Sequence, residues 1–104
     1  TETGGLVTAS ASAELPTEFA LEQNSPNPIR TGEATIEFAL PEDARVRLVV
    51  YDVMGRAVAS VVDGTYPAGY HRATVDTQGL ASGTYIYRIE AGDFVATRRM
   101  TVVR

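Results

Sequence analysis

From Leu15 onward the sequence alternates apolar and polar residues over short runs, and Pro, Gly, Asn or Asp breaks each run before it could complete a helix. A period of two places successive side chains on opposite faces of an extended chain, so each run reads as a half-buried β-strand. Ala34, Ile36, Phe38 and Leu40 share one face, with Thr35 and Glu37 opposite. Val46, Leu48 and Val50 point one way, Arg45, Arg47 and Tyr51 the other. His71, Ala73 and Val75 oppose Tyr70, Arg72 and Thr74; Tyr85, Tyr87 and Ile89 oppose Thr84, Ile86 and Arg88. Phe19 and Leu21 predict a short first strand, and Phe94, Ala96, Met100 and Val102 a half-buried last one. The uneven spacing of Val58 and Val61 predicts a bulged strand between them. About seven strands in about 85 residues predict an all-β, immunoglobulin-like antiparallel β-sandwich. Its expected core includes Phe19, Leu21, Ile36, Phe38, Leu48, Val50, Tyr85, Ile89 and Met100.

The breaks carry their own chemistry. Asp52-Val53-Met54-Gly55 has Asp at the first and Gly at the last position of a type I turn, and the Asp carboxylate is placed to accept a backbone N–H. Tyr66-Pro67-Ala68-Gly69 repeats the logic with Pro second. Asp63-Gly64 and Ala91-Gly92-Asp93 are predicted to close further hairpins. Leu80 to Tyr85 reads as a sandwich corner, in which a Tyr hydroxyl bonds back to backbone a few residues upstream.

Residues 1–14 are small and polar without a sustained period, and too poor in apolar surface to offset their ordering entropy. They read as a flexible linker from an upstream protein, and residues 15–104 as one domain. The 104 residues carry a net charge of −4, which gives no basic footprint for nucleic acid. No apolar run approaches the ~18–20 residues of a membrane helix, and no signal peptide opens the chain. Cysteine is absent, which excludes a disulfide scaffold, a thiolate metal site and a cysteine nucleophile together. All nine basic residues are arginine.

Catalysis has few candidates. His71 is the sole histidine and stays in phase with Ala73 and Val75, which suits a hydrogen-bonded rim residue better than a general base. The carboxylates fall in turns or on solvent-facing phases, and no D-x-D-x-D run suggests a calcium loop. No catalytic residue, metal or cofactor is expected. Sugar binding usually rests on exposed aromatics, tryptophan above all, and there is no tryptophan.

Four ordered segments resemble a known family. Phe19 to Pro28 carries an L-x-x-N-x-P-N-P opening, with Asn24, Pro26, Asn27 and Pro28. Val46 to Arg56 carries a Y-D-x-x-G-R hairpin, with Asp52, Gly55 and Arg56. Leu80 to Arg88 carries L-x-S-G-x-Y, with Gly83 and Tyr85, and Thr97 to Arg104 is basic, then apolar, closing on arginine. Together they resemble the type A, immunoglobulin-like C-terminal sorting domain of type IX secretion. Ile29 stands where family members often carry an aromatic, and Arg98 and Arg99 where lysines are usual.

The resemblance implies a non-catalytic address label that sends an upstream cargo across the outer membrane to the cell surface or medium. Its implied partners are the outer-membrane translocon and a sortase-like peptidase that cuts upstream of the fold, with possible surface anchoring of the cargo. It also implies that the chain is the C-terminal fragment of a longer protein, here expected to be a monomer. Recognition is expected at the last strand, through Arg98, Arg99, Val102, Val103 and Arg104, by strand addition at an exposed edge or by positive charge. A closing edge strand whose charges prevent aggregation explains the same residues. The alternative for the whole chain is an accessory carbohydrate-binding or spacer sandwich.

Overall fold

The structure, a computed structural model, describes residues 15–103, so the expected linker 1–14 and the terminal Arg104 lie outside the described residues. Seven strands follow in order: β1 (Ala20–Leu21), β2 (Glu33–Leu40), β3 (Ala44–Tyr51), β4 (Ala57–Tyr66), β5 (Gly69–Asp76), β6 (Gly83–Ala91) and β7 (Phe94–Val102). No helix occurs among the described residues. A three-stranded sheet, β1-β2-β5, packs on a four-stranded sheet, β4-β3-β6-β7, and every strand pair is antiparallel. The sandwich inferred from period two is the fold.

Alternation decides which face closes. Ala34, Ile36, Phe38 and Leu40 of β2 are buried against Val46, Leu48 and Val50 of β3, Tyr85, Tyr87 and Ile89 of β6, and Met100 and Val102 of β7. Each large side chain removed from water contributes about 1.5–3 kcal/mol, so these two facing layers dominate the stability. Phe19 departs from its expected place in the core: it precedes β1, is half-buried, and stacks on Phe94 with ring centroids 5.1 Å apart.

Strand β4 is bulged twice. Leu48 pairs with Val62 and Val49 with Ser60, which skips Val61; Val50 pairs with Ala59 and Tyr51 with Ala57, which skips Val58. The two valines whose spacing broke the alternation are the extra residues. Both bulges sit on an edge strand, where they disrupt the template for edge-to-edge pairing. The expected hairpin at Asp63-Gly64 does not exist, because β4 runs on to Tyr66. Gly64 pairs with Val46, and Asp63 holds an ion pair with Arg45 at 2.8 Å, so β3 supplies partners that keep the chain extended. The chain turns at Tyr66–Gly69 instead, where Pro67 lacks a ladder donor and the Ala68 amide donates to Asp43 Oδ1 at 2.9 Å.

The registers place the connections at two ends of the sandwich. Phe19, the β6–β7 hairpin and the β4–β5 turn lie at one end. The β3–β4 turn, the start of β6 and the finish of β7 lie at the other. The second end is therefore remote from the segment that leads into β1.

Candidate functional site

Strand β7 is the outer strand of its sheet, so the backbone groups that face away from β6 need partners or solvent. Over its last residues they have partners. The segment after β1 first stays on the other sheet, where the Glu22 amide donates to Glu37 O and Ser25 and Thr35 exchange both bonds at 2.9 Å. It then crosses to β7. Ile29 N donates to Thr101 O at 2.7 Å, Val103 N donates to Ile29 O at 2.9 Å, and Ile29 and Val102 form a parallel bridge. Asn27 Oδ1 accepts from Thr101 N at 3.2 Å, and Gln23 Nε2 donates to Arg99 O at 2.6 Å. The opening motif and the terminal strand are thus one clasped unit.

Each polar group in the clasp has a reason to be there. Asn24 is 3% exposed; its Nδ2 donates to Pro26 O at 2.6 Å and its Oδ1 accepts from Gln23 Nε2 at 2.7 Å. The Ser25–Pro26 and Asn27–Pro28 peptide bonds are both cis. Ile29 is fully buried in the main core. Tyr87, also buried, donates its hydroxyl to Glu22 O at 2.7 Å, and burial pushes its pKa up to about 12. Arg98 Nε donates to Leu21 O at 2.9 Å and so ties β7 to β1 across the gap between the sheets.

The expected recognition residues therefore divide. Val102 is buried in the core, and Val103 is half-buried with its amide used by Ile29. Arg98 is on the inward phase of β7 and is held by Leu21, whereas Arg99 points outward, opposite Ile86. The idea of an exposed terminal edge needs correction: from Arg99 O to Val103 N the edge is covered by residues 23–29. Folded, this stretch has no free ladder for strand addition. Sequence reasoning missed Gln23, Ile29 as a core residue, and the Arg98 tether. A lone apolar residue after two prolines was the only signal for Ile29; for the other two none exists in the local pattern.

The β3–β4 turn is a second locked motif. Asp52 Oδ1 accepts from the Met54 and Arg56 amides at 2.9 and 3.0 Å, and Arg56 Nε donates to Oδ2 at 3.0 Å. The Gly55 amide donates to Asp52 O at 3.0 Å, with Gly55 at φ 85°, a conformation glycine adopts without steric penalty. The Arg56 amide, the Met54 amide and the guanidinium hold the Asp52 carboxyl below its ordinary range. At the expected corner, Tyr85 donates its hydroxyl to Ala81 O at 2.7 Å.

His71 is a rim residue, with Nε2 at 2.7 Å from Pro67 O and its ring stacked on Phe38. Among the described residues no three His, Cys, Asp or Glu side chains are grouped so as to hold a metal ion. A groove of about 940 Å³ crosses the outer face of the three-stranded sheet beside Tyr70 and the Arg72–Glu37 ion pair, without a nucleophile–base pair.

Residues 25–103 match the family described as Secretion system C-terminal sorting domain. No curated protein matches the chain.

Proposed function

The chain belongs to the type IX secretion C-terminal sorting domain family, and we propose that its clasped terminal unit, residues 23–29 with the end of β7, is the surface that the outer-membrane translocon reads. Membership implies export to the cell surface or extracellular space and a family that is not catalytic. The observation that carries the proposal is the clasp, because it merges two family motifs into one surface at the end of the sandwich remote from Phe19. The reading by charge and shape is favoured over strand addition, since the backbone from Arg99 to Val103 is already paired. Arg99, which points outward and makes no side-chain bond among the described residues, is then a charge available to a partner, joined in the sequence by Arg104. In this reading a cargo precedes the domain in the same polypeptide, and a sortase-like peptidase cuts within residues 1–14, leaving the cargo anchored or released.

Fusion to a periplasmic reporter in a type IX-competent host tests this. Arg99→Glu is expected to lower export severalfold at an unchanged melting temperature, because the side chain bonds no other group among the described residues. Unchanged export from a folded variant would remove Arg99 from the recognition surface.

A further inference from the structure

The β3–β4 turn spends a great deal of local structure on two side chains that the domain does not use. Val53 and Met54 are 72% and 76% exposed, and neither belongs to the core nor packs against it. Exposed single apolar residues are common on protein surfaces and need no explanation. These two differ in being adjacent, at a tip, and held there by the Asp52 carboxylate, the Gly55 turn bond and Arg56. A side chain presented on a backbone that is already ordered loses little further freedom on binding, which is the condition for an efficient anchor.

The surroundings say what kind of partner fits. Arg56 is 77% exposed and gives only its Nε to Asp52, so among the described residues its two terminal amino groups make no bond and can donate to an acceptor beside the apolar pair. The turn projects from the end that carries the finish of β7, away from the segment that leads into β1.

We propose that Val53 and Met54 are a preorganised apolar plug that docks into an apolar pocket, rimmed by carboxylate, on a protein of the export machinery. The proposal rests on the sorting-domain reading, and two comparisons keep the two apart. The first is export of a reporter fused to the unaltered chain against reporter alone; failure there defeats the sorting reading and this inference with it. The second is V53S/M54S against the unaltered chain. Loss of export by roughly tenfold or more, the scale of removing an interface anchor, is expected, with the melting temperature unchanged. The Y70S/V95S control removes two exposed apolar residues from strand faces at the other end of the sandwich and is expected to export normally. Normal export of V53S/M54S, or equal loss in the control, overturns the plug. So does binding of the purified domain to phosphatidylethanolamine–phosphatidylglycerol vesicles that V53S/M54S abolishes, because the partner would then be lipid rather than a protein pocket.

Discussion

The crossing segment 23–29 and the turn 52–56 are each organised by one polar side chain, Asn24 through both atoms of its amide and Asp52 through its carboxylate, and the result serves opposite ends in the two places. Asn24 is buried, and the segment it shapes carries Gln23 to a carbonyl 76 residues away and Ile29 into the core. Asp52 organises nothing beyond Arg56, four residues on, and turns Val53 and Met54 out to solvent. The first motif converts local order into tertiary closure. The second converts it into a presented surface. Two motifs of one family therefore need not share a role; the distance over which their bonds act separates them.

The largest expected effect lies in the crossing segment. Ile29→Ala removes a fully buried side chain and should cost about 2–5 kcal/mol in a denaturant titration. The amides of Thr101 and Val103 should then exchange with solvent earlier than those of β3, since their partners are in the displaced segment. A loss below about 0.5 kcal/mol, the scale of an ordinary surface substitution, would break the contrast by making the clasp as dispensable as the tip.

A smaller effect is expected of Asn24→Ala, which takes the donor from the Pro26 carbonyl and one of two acceptors from the Gln23 amide and should cost about 0.5–1.5 kcal/mol. Asn24→Asp sharpens the test, because it keeps the acceptor for Gln23 and loses the donor to Pro26.

The smallest effects are those of pH, and they carry opposite signs in the two regions. Tyr87 has a folded pKa of about 12 against an ordinary 10.0, so its contribution is complete below pH 10 and disappears as pH rises toward 12. Tyr87→Phe should remove that alkaline limb and cost about 0.5–1.5 kcal/mol for the lost bond to Glu22. Asp52 is lowered from 3.8, so its contribution is complete above that value and disappears as pH falls through the folded pKa. Asp52→Asn should flatten the acid limb alone. Thermal melts across pH for both variants check the two signs, and a shared limb would mean that clasp and turn are coupled after all.

How much was readable beforehand differed by residue. The inward sets of β2, β3 and β6 followed from alternation, because a half-buried sheet imposes a period of two on its own sequence. Val58 and Val61 disclosed a bulged strand by breaking that period, and the folded strand is bulged at both. The locks at Asp52 and Tyr85 were readable because their partners lie within four residues. Asp63-Gly64 misled for the converse reason: a dipeptide that suits a turn was held extended by pairing with β3, which no local pattern reports.

The amino-acid pattern alone thus settled the strand count, the faces, most of the core and the short-range locks, all of which are written in neighbouring residues. It left open which sheet each edge would join, that Arg98 would reach Leu21, and that residues 23–29 would cover the end of β7. Those facts depend on atoms more than seventy positions apart being brought within hydrogen-bond reach by the packing of two sheets. A bond formed at that range leaves no period and no spacing in the chain, so it could be seen only where the folded backbone set the partners side by side.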